Sequence, residues 1–121
     1  MRRSVRKALV VEDEVLVRLL SVEILGELGF EVQAAENADE ALALLEEDAG
    51  VSLVFSDIRM PGSMDGLGLA SRVHQRWPGI RLLLTSGDTR PSTTDLPDES
   101  RFLPKPFSLV SLARELEALA L

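Results

Sequence analysis

Five residues of this chain have side chains suited to metal and group-transfer chemistry, and each follows a short apolar run. Glu12 and Asp13 come after "ALVV", Asp57 after "SLVFS", Ser86 after "IRLLLT" and Lys105 after "RFLP". Taken singly, each has an ordinary explanation. An Asp at the end of a run caps a turn, an acidic pair favours the first turn of a helix through its dipole, and a lone lysine is solvated. Taken together they describe a site. If the runs are neighbouring strands of one parallel sheet, three carboxylates, a hydroxyl and an ammonium converge on one edge. Three negative charges against one positive leave about two, which a hard divalent cation with oxygen ligands would offset. Magnesium is the natural candidate.

The elements that would position these groups are legible as an alternation. The apolar runs at 8–11, 31–35, 52–56, 80–85 and 101–104 are short, and several are continuously apolar, as expected of strands buried on both faces. Helical patterns lie between them. Val17, Leu20, Ile24 and Leu28 recur at three and four residues, with Gly29 placed to close that helix in a left-handed conformation. "NADEALALLEE" opens on Asn37 as N-cap, with Glu40 three residues on in a capping-box arrangement. A third helix is expected from about Gly66 to Arg76, stopping before Pro78, and a last one carries Leu109, Leu112, Leu116 and Leu119. Strands alternating with helices imply right-handed crossovers and an α/β fold, a doubly wound five-stranded parallel sheet flanked by helices. Ligands bind such sheets at the carboxyl ends of the strands, near a topological switch point. The segment 87–100, "GDTRPSTTDLPDES", breaks the rhythm with two prolines and one large apolar residue, Leu96. It reads as an irregular segment in which the fourth helix is short or missing.

The bulk properties exclude several classes. The 121 residues fit a single domain over 1–121 with a basic tail at 1–6, and Arg2, Arg3, Arg6 and Lys7 read as a solvated end. A net charge of −7 argues against binding nucleic acid, which needs a basic face. The absence of cysteine excludes disulfides and thiolate zinc sites and suits a cytoplasmic protein. No apolar run approaches the roughly 20 residues that span a bilayer, and the four apolar residues after "MRRSVRK" are too few for a secretory signal. Gly62, Gly66 and Gly68 do not form a dinucleotide fingerprint, and His74, the one histidine, reads as a structural residue.

Four segments in order, "VVEDE" (10–14), "SDIRMPGSMDG" (56–66), "LLLTSG" (82–87) and "FLPKPF" (102–107), resemble the receiver domain of bacterial two-component response regulators. The resemblance covers nearly the whole chain and implies a flavodoxin-like receiver fold, of a stand-alone type because the chain ends with its last helix. It implies that Asp57 accepts a phosphoryl group from a histidine kinase or histidine phosphotransfer protein, with Mg2+ as cofactor. Asp13, Asp57 and the backbone carbonyl of Arg59 would ligate the metal directly, and Glu12 through water. Ser86 would bond one phosphoryl oxygen and Lys105 would pair with another. Phe102 falls on the aromatic switch position, and the Lys105–Pro106 bond is expected to be cis. Such a protein is a phosphorylated signalling switch rather than an enzyme, acting on a protein target by conformational change or phosphorelay, with a weak or phosphorylation-dependent homodimer left open.

The chemistry of the residues supports these roles. An aspartyl nucleophile attacking a phosphoryl group needs cations to screen its own charge and the equatorial oxygens, and Mg2+ with a point-charge lysine supplies them. Met60-Pro61-Gly62 turns the loop sharply after Asp57, and Gly87 leaves room at the entrance. Thr85 rivals Ser86 for the hydroxyl role, but the two point opposite ways in an alternating strand and the small residue follows Ser86. Glu12 stands where the family more often has Asp, and "MPGSMDG" is one residue longer than the common form. Arg59 and Asp88, each two residues beyond a site residue, carry opposite charges and are expected to pair across the mouth and limit hydrolysis of the acyl phosphate. Two other readings are a receiver-like scaffold that is never phosphorylated and an aspartyl-nucleophile phosphatase. The phosphatase reading is disfavoured because Arg59 stands where a second Asp would be needed.

Overall fold

The computed structural model describes residues 6–48, 50–88, 90–92 and 94–121. In chain order the elements are β1 (Arg6–Val11), α1 (Val15–Glu27), β2 (Phe30–Ala35), α2 (Ala38–Glu47), β3 (Leu53–Asp57), α3 (Gly66–Arg76), β4 (Arg81–Ser86), β5 (Arg101–Pro104) and α4 (Leu109–Ala118). All strand pairs are parallel, in the order β2-β1-β3-β4-β5. Burial follows that order. The central strand β3 is buried along its whole length, whereas the edge strands β2 and β5 are buried only in part.

Both faces of the sheet are covered, which is why the central strands lack a polar side. On one face Ala41 and Leu45 of α2 and Leu69 and Val73 of α3 pack over Leu9, Val54 and Leu84. On the other, Leu25 of α1 and Leu112 and Leu116 of α4 pack over Val10, Phe55 and Leu83. The helix ends follow their caps. The Asn37 side chain accepts from the Glu40 backbone N–H at 2.8 Å, and Asp65 accepts from that of Gly68 at 2.9 Å. Gly29, with φ of 100°, takes up the left-handed conformation just beyond α1.

Three expectations are corrected. The basic tail is shorter than read: β1 begins at Arg6, whose guanidinium lies 4.6 Å from the centre of the Phe30 ring, and Lys7 pairs with Asp48 at 2.8 Å. Arg2 and Arg3 lie outside the described residues. In α1 the buried face is Ser21, Ile24 and Leu25, while Leu20 is exposed together with Val15, Leu16 and Leu19. The helix carries apolar residues on more than one side, so a three-four repeat fits more than one face. The Glu40 carboxylate reaches back to the N–H of Glu36, one residue before the cap, at 3.2 Å.

Between β4 and β5 the described residues of 87–100 form no helix or strand. The chain there is held by local bonds instead. Asp95 N–H donates to the Ser92 carbonyl at 3.0 Å, the Ser92 hydroxyl to the Asp95 carboxylate at 3.0 Å, and the Ser100 hydroxyl to the Pro97 carbonyl at 2.6 Å. Such side-chain bonds offer the backbone an alternative to a helix ladder. Leu96 is the apolar residue through which this segment packs on the core.

Candidate functional site

In this strand order the crossovers reverse direction between β1 and β3, and a crevice opens at their carboxyl ends. The register pairs Val11 with Ser56, so the next residues, Glu12 and Asp57, emerge side by side. Glu12, Asp13 and Asp57 each bring a carboxylate oxygen within 4.8 Å of the others. Glu12 is held from both ends. Its backbone N–H donates to the Ala35 carbonyl at 3.0 Å, and its own carbonyl accepts from the Arg18 guanidinium at 2.8 Å. Sequence reasoning gave Arg18 no role, since only the turn of α1 brings it back over the strand end.

Lys105 joins the cluster from the far edge. It follows β5, crosses β4, and places its ammonium 2.9 Å from Glu12 Oε1 and 3.5 Å from Asp57 Oδ2. The Lys105–Pro106 peptide is cis. Burial pushes the Glu12 and Asp57 carboxyls above their ordinary values, against the lowering influence of Lys105. For Lys105 burial acts downward, and the hydrogen bond to Glu12 and the charge of Asp57 outweigh it, raising the ammonium. Three carboxylates around one ammonium therefore remain short of positive charge. The donor set is all oxygen, two of its members are buried, and the deficit suits a hard dication such as Mg2+.

The loop after Asp57 is built around Gly66, which the sequence marks only as the start of a helix. A Cβ on Gly66 would lie 2.0 Å from the Asp57 carbonyl oxygen, while the Gly66 N–H donates to the Ile58 carbonyl at 2.8 Å. Only glycine lets the start of α3 approach the backbone of Asp57 this closely. The adjoining Asp65 cap in "MDG" was the available signal. Gly87 differs from expectation. A Cβ there would meet only the Lys105 stem at 3.8 Å, an ordinary contact, so the position lies along the lysine rather than across the entrance.

Ser86 is buried at the end of β4, and its hydroxyl donates to Asp88 Oδ1 at 3.2 Å. Asp88 Oδ2 lies 3.7 Å from Arg59 Nη1, and both side chains are about two-thirds exposed. Thr85 is the Cα partner of Asp57, whereas Ser86 is opposite Pro104. Alternation therefore puts Thr85 on the Phe55 and Asp57 face of the sheet and Ser86 on the Phe102 face. A hollow of about 240 Å³ separates Ser86 from Phe102, with Arg90 also on its wall and its guanidinium 5.8 Å from the Phe102 ring centre.

A doubly wound parallel sheet with an acidic trio at its switch point, a lysine after its last strand and a hydroxyl at the end of the strand between defines a phosphate-signalling class of domain. The chain belongs to the response regulator receiver domain family, whose model matches residues 8–117. It is 40% identical over 109 residues to the sensor kinase CckA of Brucella abortus, covering 87% of this chain and 11% of that protein. The response regulator receiver protein CpdR of the same organism is 31% identical, over 93% of this chain and 94% of that one. The solved receiver domain of NtrX from Brucella abortus is 32% identical, with a TM-score of 0.82 over 93% of this chain and 98% of that one. The protein is thus a receiver domain of two-component signal transduction, a phosphoacceptor module of a kind that binds Mg2+ through acidic residues. No helix among the described residues is long and apolar enough to cross a membrane.

Proposed function

We propose that Asp57 accepts the phosphoryl group, from a phosphohistidine on a histidine kinase or phosphotransfer protein. The observation that carries this reading is Lys105, an ammonium brought across β4 to lie between Glu12 and Asp57. In the reaction one Asp57 carboxylate oxygen attacks phosphorus. A P–O bond forms as the P–N bond to the donor imidazole breaks, and the imidazole nitrogen leaves with that bond's electrons. Asp13, Asp57 and the Arg59 carbonyl would hold Mg2+ directly and Glu12 through water. When bound, the ion screens the charge on the nucleophile and the equatorial phosphoryl oxygens. Lys105 pairs with one phosphoryl oxygen. Ser86 bonds another, giving up Asp88 to do so, and Phe102 reads that move across the hollow between them. The chain works as a cytoplasmic switch that catalyses at most its own phosphorylation and dephosphorylation, and it passes its signal to a protein target by conformational change or phosphorelay.

Incubating the protein with acetyl phosphate and Mg2+ is expected to add a single phosphoryl mass, stable to acid and labile to base, that is absent in Asp57→Asn. An unmodified wild-type protein, or an adduct that survives Asp57→Asn, would overturn this reading. The Arg59–Asp88 pair sets how long the adduct lasts. Two exposed side chains leaning together over the mouth restrict the line along which water approaches phosphorus. In Arg59→Ala the acyl phosphate is expected to decay a few-fold faster, about 2 to 5 times, which corresponds to roughly 0.4 to 1 kcal/mol of barrier. Decay at the wild-type rate would remove the pair from the mechanism.

A further inference from the structure

Among the described residues, Thr85 Oγ1 is the one buried side-chain oxygen or nitrogen with no hydrogen-bond partner. The residue is 3% exposed and lies in the last pleat of β4, one residue before Ser86. Its Cα partners are Asp57 on one side and Leu103 on the other. Side chains at matched positions of parallel neighbours share a face, so Thr85 and Asp57 stand next to each other on strands about 4.8 Å apart. Lys105 reaches Asp57 and Glu12 from β5, and β4 lies between, so its side chain passes over the end of β4. A Cβ on Gly87, the residue that follows β4, would lie 3.8 Å from Lys105 Cβ and 3.9 Å from Lys105 Cδ. The lysine stem thus passes the end of β4 and its ammonium reaches Asp57, the register partner of Thr85.

A buried hydroxyl without a partner costs free energy that a valine of the same shape would not. The Lys105 ammonium has three N–H groups and, among the described residues, two ion-paired carboxylates, Glu12 and Asp57. We propose that Thr85 is a positioning residue for Lys105: its hydroxyl oxygen is the reserve acceptor that holds the ammonium beside Asp57 when Glu12 is engaged elsewhere. The proposal rests on the assignment of Lys105 to the phosphoryl site and adds a residue to it. Glu12 is the best acceptor while the acidic cluster is free, and the ammonium then bypasses Thr85. Once the cluster is committed, the ammonium drops back along its own path and Thr85 keeps it from swinging out to solvent. The threonine hydroxyl in turn donates to its neighbour Asp57, so the orphaned group gains two partners in one move.

Thermal melts of the chelated protein test this without phosphorylation, through four forms: wild type, Thr85→Val, Glu12→Ala and the double variant. In the wild-type background Thr85→Val removes an orphan, and the melting temperature is expected to rise by about 2 to 4 °C. In the Glu12→Ala background the ammonium already uses the hydroxyl, and the same substitution is expected to lower the melting temperature by a similar amount. Thr85→Ser, which keeps the oxygen, should not show this reversal. An equal rise in both backgrounds would make Thr85 a core residue and overturn the proposal. With acetyl phosphate and Mg2+, Thr85→Val is expected to be phosphorylated about 3 to 10 times more slowly and Thr85→Ser at close to the wild-type rate. Wild-type speed in Thr85→Val would count against the proposal equally. If the wild-type protein took no phosphoryl group at all, the melts would still decide the Thr85–Lys105 contact, so the two readings fail separately.

Discussion

At Asp57 a carboxylate is kept 6% exposed beside two others, with one ammonium at 3.5 Å to offset it. Burial raises Asp57 above its ordinary 3.8 and Glu12 above its ordinary 4.5, so the charged forms work against folding. Below the ordinary carboxylate range both groups are protonated in the folded and unfolded chain, and the penalty is absent. As pH rises toward the raised folded values, the unfolded chain ionises first and stability falls. Replacing Asp57 by Asn removes this cost, so calorimetry in chelator is expected to show a melting temperature about 2 to 5 °C above wild type at neutral pH. That gain should shrink toward zero as the pH is lowered below 4. A gain independent of pH would point to packing rather than charge. With that gain, function would be keeping at this position a residue that the metal-free fold is more stable without.

At the level of elements, the site depends on how closely α3 starts beside β3. The absent Cβ of Gly66 is the condition for that approach, because in its place stands the Asp57 carbonyl. Gly66→Ala is expected to cost about 3 kcal/mol or more, since backbone rather than a flexible side chain must give way, and denaturant titration measures it. The displaced backbone belongs to Asp57 itself, so phosphorylation by acetyl phosphate should fall further than stability alone explains. Strand positions and α3 were legible because buried parallel strands are continuous apolar runs and Pro78 bounds the helix. The inward face of α1 was not, because Val15, Leu16, Leu19 and Leu20 are exposed, and their period matches that of the residues that face the core. In the same way, composition marked 87–100 as irregular, while the turns at Ser92–Asp95 and Pro97–Ser100 that hold it depend on bonds that no period announces.

For the whole molecule, an ion held by the acidic cluster as proposed would couple metal binding to folding. An ion that binds the folded chain alone stabilises it by mass action. Mg2+ at roughly ten times its dissociation constant should contribute about 1.4 kcal/mol, raising the melting temperature by about 5 °C in a chain of this size. Melting curves at increasing Mg2+ check this, and a flat response at millimolar Mg2+ would speak against the cluster as a metal site. The sheet topology, with its switch point between β1 and β3, explains why residues 93 positions apart along the chain form one ion pair. Convergence of this kind was legible as soon as the strands were read as parallel. The lone hydroxyl of Thr85 was not, because which buried groups lack a partner is decided by three-dimensional packing.

The single ammonium in the cluster also limits the form in which a message can leave. Three carboxylates and Lys105 carry two net negative charges at rest. A dication cancels them, and on the proposed reading an aspartyl phosphate then adds only about one further negative charge, since the carboxylate charge is consumed as the dianion arrives. On a surface already at −7, and with screening over about 8 Å at physiological salt, so small a change fades before it reaches a partner on the far side of the domain. Phosphorylation is therefore nearly silent as a long-range field. On that reading the signal would travel as displacement, with the hollow between Ser86 and Phe102 giving it a direction, out toward β5 and the irregular segment beside it.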